Sequence, residues 1–381
     1  MENDSVYAAL DIGETNTKLV VGTIHNEKFN ICATFSVPTK GIDKGDITSK
    51  SDLQATISSL LSMASENGFD IVETVLILPN SNLYVYRKKA TNQVQSPNSV
   101  VSSKDIELLK KACTRHQIPS SEFVVALYPI KYLLDDHSTN KEEPVGMRGS
   151  FITLDAFVVT LPTGIAKGYV ECLQDMGIEV VDAIIAPLAN ATLLLRNQEF
   201  KTGAIILDMG GKHNNISLFY DYLFCANKQG SYGGDYVTEA ISKTFELDKK
   251  RAEEVKQTYG SALVNNASNI VVYNHPETNR SIKENEIVTI IESALDFEVK
   301  EIVKGIEFLN VRKTDFPIII TGGCANLENI AEKLEKSLNQ KCFVRSFSKV
   351  GGRDTKYNTA IGGLLNYLAR NGLIDLSLVQ I

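Results

Sequence analysis

One tetrapeptide occurs twice in nearly the same form, as Leu10-Asp11-Ile12-Gly13 near the start of the chain and as Leu207-Asp208-Met209-Gly210 past its middle. Each opens a strand, turn, strand pattern, so the chain reads as two related halves. In the first half, residues 8–12, 17–23 and 31–37 are β-branched stretches separated by polar turns, the pattern of a meander. Residues 51–63 then read as a helix and 75–78 as a short apolar strand ahead of Pro79, which is the order of a βαβ crossover. The second half repeats the order with strands at 204–207, 216–219 and 223–227, helical segments, and a strand at 317–321. Two α/β sheets with a cleft between them are the expected fold.

Between the halves, residues 82–158 have their own pattern. Ser102 and Asp105 form a capping box ahead of a helix carrying Ile106, Leu109 and Lys110. The polar run at 135–143 and the turn Pro144-Val145-Gly146-Met147 read as an exposed loop. The segment is expected to be an inserted subdomain.

With 381 residues the chain exceeds one comfortable core, and its 43% hydrophobic and 22% charged residues are those of an ordinary globular protein. A formal net charge of -7 disfavours a grip on phosphate backbones, so no nucleic-acid partner is expected. The six cysteines are scattered without metal-binding spacing and read as reduced thiols. No stretch reaches the ~20 apolar residues of a membrane span, and the first residues lack the features of a signal peptide, so the cytoplasm is the expected compartment.

The chemistry lies in the turns. An Asp at a strand end, followed by Gly and small polar residues, offers a carboxylate to a hydrated metal and backbone N–H groups to an anion. The run from Asp11 through Gly13, Thr15 and Asn16 to Lys18 is such a turn, although Asp-x-Gly also occurs in plain hairpins. The duplicate at Asp208, Gly210 and Gly211 places a second cradle across the cleft, so that the two enclose a triphosphate. A third turn, Thr321-Gly322-Gly323-Cys324-Ala325-Asn326, follows an apolar strand and lets a flat base lie against bare glycines, or else is a strand-to-helix connection needing positive φ. Glu253 and Lys256 share one helical face at i and i+3, within reach of ribose hydroxyls or merely solvated.

The order of the Asp11 turn, Asp208-Met209-Gly210-Gly211, Gly233-Gly234-Asp235, Glu253 to Gly260 and Thr321-Gly322-Gly323 resembles the actin superfamily. Within it, Lys40-Gly41-Ile42-Asp43-Lys44-Gly45, Pro144-Val145-Gly146-Met147-Arg148-Gly149 and Ala186-Pro187-Leu188-Ala189 resemble FtsA, the bacterial division protein that links tubulin-like filaments to the membrane. The inserted segment also lies where FtsA carries its own. The resemblance covers nearly the whole chain. It implies an actin-like (ribonuclease H-like) two-domain fold in which residues 1–81, 159–198 and 358–381 form domain I. Residues 82–158 would be the FtsA-type insertion, 199–230 and 293–357 domain IIA, and 231–292 domain IIB.

The resemblance also implies the cofactors ATP and Mg2+. Asp11 and Asp208 would hold Mg2+ through water, with Gly13, Thr15 and Asn16 on the phosphates and Gly210 and Gly211 opposite. Gly233 and Gly234 belong to the same nucleotide motifs. Glu253 and Lys256 would approach the ribose, and Gly322, Gly323 and Asn326 the adenine. Lys18 pairs with phosphate or sits at the surface. The implied partners are the C-terminal peptide of FtsZ, other copies of the chain in a protofilament, and further division proteins at the inner face of the membrane.

The sequence departs from FtsA in two places. The second cradle there continues with Gly, two Thr and Asp, whereas Lys212, His213, Asn214 and Asn215 stand here. Losing the hydroxyls and the carboxylate removes groups that hold γ-phosphate or orient water, so ATP turnover is expected to be slow or absent. Lys212 is a candidate for supporting bound nucleotide by its charge; His213 contacts phosphate or occupies an exposed turn, with no catalytic role assigned. The second departure is at the end, where residues 370–381 carry no basic amphipathic helix, so either an anchor lies outside this sequence or the membrane is reached only indirectly, through a partner. Two other readings share the fold: a pilus-assembly adaptor, and an ATP-dependent sugar kinase, for which no Asp stands out as the base.

Overall fold

The computed structural model describes residues 5–378 apart from 26–27, 116, 136, 139–141, 276–277 and 310–315. Several positions of the polar run expected at 135–143 therefore lie outside the described residues. In the first half, strands β1 (Val6–Ile12), β2 (Asn16–His25) and β3 (Lys28–Pro38) form the expected meander. Helix α1 (Lys50–Glu66) follows, and β4 (Glu73–Leu78) returns parallel to β1. Ser49 starts α1 by accepting a hydrogen bond from the Asp52 N–H, and its Leu53, Ile57, Leu60 and Ala64 face inward at helical spacing. These strands begin and end within a few residues of the expected limits, because polar turns mark them locally.

The insertion contains β5 (Tyr84–Gln93), α2 (Ser103–Thr114), β6 (Glu122–Leu134) and β7 (Phe151–Pro162). Its sheet runs β5, β7, β6 and then the two-residue strand His137–Ser138, and α2 covers one face over a separate core that includes Leu109, Ile152 and Leu154. The capping box is formed: Asp105 accepts from the Ser102 N–H at 2.9 Å, and Ser102 Oγ accepts from the Asp105 N–H at 3.3 Å.

The chain then runs through α3 (Thr163–Gln174) and β8 (Glu179–Ile185), which completes the first sheet, and into α4 (Ala186–Leu194). The second half supplies β9 (Ala204–Met209), β10 (Asn214–Tyr220) and β11 (Leu223–Gln229), helices α5 (Gly234–Phe245), α6 (Lys249–Tyr259) and α7 (Glu284–Phe308), then β12 (Ile318–Thr321), α8 (Ile330–Leu338), β13 (Cys342–Val344) and α9 (Asn358–Arg370).

The duplication is visible in the pairing. The first sheet is ordered β3, β2, β1, β4, β8 and the second β11, β10, β9, β12, β13, each an antiparallel meander extended by two parallel strands. Asp11 lies opposite Lys18 on its neighbour, and Asp208 lies opposite Asn215 on its own. Asn215 is thus the counterpart of Lys18. The boundary expected at 292 falls inside α7, a continuous helix whose apolar stripe from Ile287 to Ile302 packs in the second core.

Helices α4 and α9 cross between the two halves. A Cβ at Gly362 would lie 2.0 Å from the Ala189 carbonyl oxygen, so bare glycine lets the helix backbones approach. Among the described residues, no helix is long and apolar enough to cross a membrane.

Candidate functional site

The two Asp turns meet across the cleft. Each aspartate is the second-to-last residue of the central strand of its sheet, so backbone pairing fixes both carboxylates at the C-terminal ends of those strands. Asp11, buried at 8% exposure, accepts from Lys18 Nζ at 2.8 Å. Lys18 is therefore an internal cation rather than a surface one. Burial pulls its ammonium down, but the charge and hydrogen bond of Asp11, with Asp208 behind, outweigh this and raise its pKa. Asp208 shows the opposite balance: burial pushes its carboxyl up to about 6, Lys18 only partly offsets this, and Asp11 adds repulsion. Asn190 of α4 donates to Asp208 at 3.2 Å and accepts from Thr359 of α9 at 3.0 Å, tying the carboxylate to the crossing helices.

The glycines are where backbones approach too closely for side chains. A Cβ at Gly211 would sit 2.2 Å from Thr15 Oγ1, directly across from the first turn, and that hydroxyl donates to Asp235 at 3.2 Å. A Cβ at Gly322, whose φ is +89°, would meet Asp208 Oδ1 at 2.5 Å, so the third turn abuts the second Asp. Gly210 and Gly211 accept from the Gly234 and Asp235 N–H groups at 3.0 and 2.8 Å, which stacks the second turn on the N-terminus of α5. Gly13 approaches the Asn16 carbonyl within the first turn.

Glu253 and Lys256 form an ion pair at 2.7 Å on α6. The lysine, largely buried, also donates to the Gly234 carbonyl at 3.0 Å and to Thr238 at 2.8 Å, which turns it toward the base of α5. Burial would raise the Glu253 carboxyl, but Lys256, Thr238 and Gln257 hold it low. Asn326 is anchored away from the cleft centre, donating to Asp354 at 2.7 Å and accepting from Thr355 Oγ1 at 2.8 Å; Gly323 lies beside Lys356.

Lys212 and His213 point at the first turn. Lys212 Nζ lies 3.9 Å from both Glu14 Oε2 and Asp43 Oδ1, and His213 Nε2 lies 3.5 Å from the same Glu14 oxygen. Ser81 donates to Glu14 Oε1 at 3.0 Å, and His213 Nδ1 lies 3.2 Å from the Gly230 carbonyl. Glu14, Asp235 and Asn190 were not singled out from sequence. Glu14 and Asp235 lie within motifs that drew attention, but their partners are some two hundred residues distant.

A further polar group lies deeper. Glu298 of α7 is fully buried on an apolar stripe, and neither carboxylate oxygen has a hydrogen-bond partner of good geometry among the described residues. Burial pushes it up to about 7, against a weak pull from Asn214 and Lys256. Its place between Leu295 and Ile302 is the signal that sequence offers.

Two sheets of one duplicated order, crossed by α4 and α9 and facing each other through paired Asp–Gly turns, define an actin-like protein with an inserted subdomain. The family model for the cell division protein FtsA matches residues 205–362, and the model for the SHS2 domain inserted in FtsA matches residues 83–160. The chain is 25% identical to cell division protein FtsA of Bacillus subtilis, covering 98% of this chain and 86% of that protein, and 27% identical to FtsA of Streptococcus pneumoniae, covering 94% and 79%. Two solved structures share the fold: the PilM-PilN type IV pilus biogenesis complex (TM-score 0.66, 19% identity, 95% of this chain and 98% of that one), and MreB5 of Spiroplasma citri bound to ADP (TM-score 0.54, 14% identity, 97% of each). The chain belongs to the FtsA family of actin-like cell division proteins.

Proposed function

We propose that this chain binds ATP in the cleft between its two sheets, self-associates into actin-like filaments and joins FtsZ, through its C-terminal peptide, to other division proteins at the inner face of the membrane. The observation that carries the nucleotide part is the approach of the two turns, Gly211 against Thr15, with the buried Asp11 and the half-buried Asp208 behind them. Gly13, Thr15 and Asn16 on one side and Gly211 on the other would offer backbone N–H groups to phosphate oxygens, while the Gly210 N–H holds the second turn together by donating to the His213 carbonyl at 3.1 Å. Glu253 would face the ribose, and Gly323, whose missing Cβ would meet nothing closer than Lys356 at 3.9 Å, would leave room for the base, with Gly322 packed on Asp208 behind it.

The donor set suits Mg2+. Asp11 and Asp208 both act on Lys18, so two carboxylates share one ammonium, and a divalent cation would be matched by the second. When bound, the ion would offset phosphate charge, held by these two carboxylates through water. Turnover of ATP is slow or absent, because Asn214 and Asn215 are locked into β10 and His213 is engaged with Glu14 rather than free to orient water. FtsA relatives of similar length and the inserted subdomain support the division role at the septum.

Calorimetric titration with ATP and Mg2+, beside an Asp208→Ala control, tests the cleft. Saturable binding that the substitution abolishes is expected; no binding by the intact chain would overturn the nucleotide reading. Co-sedimentation with FtsZ filaments, with and without their tail, tests the adaptor role, which fails if binding does not depend on the tail.

A further inference from the structure

We infer that Lys212 and His213 serve as an electrostatic clasp on Glu14 that holds the two halves closed without a triphosphate. This rests on the reading of the cleft given above and concerns how it is gated.

Three observations converge. First, the Lys212 ammonium and the His213 imidazole of the second turn address one oxygen of the first turn: Glu14 Oε2 is 3.5 Å from His213 Nε2 and 3.9 Å from Lys212 Nζ. Second, that oxygen is buried and makes no hydrogen bond of good geometry, whereas its twin Oε1 is fixed by Ser81 at 3.0 Å. It is thus held, desolvated, against the opposite half, where an unpaired carboxylate oxygen is costly and a facing positive charge is worth more than in water. Third, the clasp sits beside the direct bridge from Thr15 to Asp235 at 3.2 Å, so two contacts span the same gap.

On this reading Lys212 serves the clasp rather than a phosphate. Glu14 and Asp43 together present two carboxylates to one ammonium, so its charge is already matched. His213 is braced at its other nitrogen by the Gly230 carbonyl. With glycine and threonine at 212 and 213 there would be no cation for Glu14, and closing the turns would depend on phosphate bridging them. Here the protein supplies both signs of charge itself. Closure, and any assembly that follows from it, is accordingly insensitive to whether the cleft holds a diphosphate, a triphosphate or neither.

Closure can be read as the distance between spin labels on the exposed Cys32 of β3 and on a Thr258→Cys substitution on the exposed face of α6, in a Cys225→Ser background. The parent is expected to give one short distance without nucleotide, with ADP and with ATP plus Mg2+. Glu14→Gln should lengthen or broaden the nucleotide-free distance. The Lys212→Gly/His213→Thr double variant should make the short distance depend on ATP. Thermal unfolding of each variant separates loss of the clasp from loss of the fold.

A parent that is open without nucleotide and closes on ATP overturns the clasp while leaving the nucleotide reading intact. A parent that is closed throughout but shows no calorimetric binding supports the clasp and overturns the nucleotide reading. A Glu14→Gln variant that folds and stays as closed as the parent overturns the clasp.

Discussion

Lys18 Nζ lies 2.8 Å from Asp11 Oδ2, the two residues facing each other across the β1–β2 register, with Asp208 of the other half acting on the same ammonium. One cation thereby stands between the carboxylates of both duplicated turns. Removing it leaves buried negative charge without a partner. Lys18→Ala is expected to cost about 3 kcal/mol in urea-induced unfolding, the range for breaking a buried pair from one side. Mg2+ should restore more stability to this variant than it adds to the parent. A loss below about 1 kcal/mol, the range of exposed pairs, would mean that the pair is solvated.

Glu298 makes stability depend on pH in the unusual direction for a carboxyl. Its folded pKa is raised from the ordinary 4.5 to about 7, so the folded chain binds the proton more tightly than the unfolded one. The protonated form is native-compatible below 4.5, and stability falls as pH rises through this window, by on the order of 3 kcal/mol in total. Glu298→Gln, which stays neutral, should therefore gain on the parent as pH rises and match it near pH 4 (roughly the unfolded carboxyl's pKa). Denaturant midpoints across pH check this; parallel profiles for the two proteins would refute it.

His213 works in the same sense, at higher pH. The Glu14 contact raises its pKa, burial lowers it by less, and the net shift is upward. Its contribution is fully present below the unfolded value of 6.5 and is lost as pH rises through the folded one. Because the ring is partly exposed, the effect should be under about 1 kcal/mol. His213→Asn should remove that part of the pH profile while Lys212 keeps its charge, and an unchanged profile would show that His213 does not titrate against Glu14.

The crossing of α4 and α9 separates two adjacent glycines. A Cβ at Gly362 would strike the Ala189 carbonyl oxygen at 2.0 Å, which is backbone, while one at Gly363 would meet the Ile77 Cδ1 at 2.2 Å, the end of a flexible side chain. Gly362→Ala should cost at least about 1–3 kcal/mol, as overpacking does, and Gly363→Ala distinctly less. Equal thermal shifts for the two would mean that the helices do not cross in this way.

The strands, the capped helix α2 and the Asp–Gly turns were legible in the chain because each is fixed by neighbours in sequence: β-branched runs end at polar turns, Ser102 and Asp105 lie three residues apart, and glycine marks where backbone must bend or approach closely. The repeat of the Asp turn also announced two halves, and the shared strand order is its consequence. Sequence could not decide what faces what across the cleft. Glu14 acquires its meaning from residues 212 and 213, Asp208 from Asn190 and Lys18, and Glu298 from the apolar stripe that removes it from water. Electrostatic strength depends on burial and on distances between segments far apart in the chain, and only the packed tertiary structure sets either.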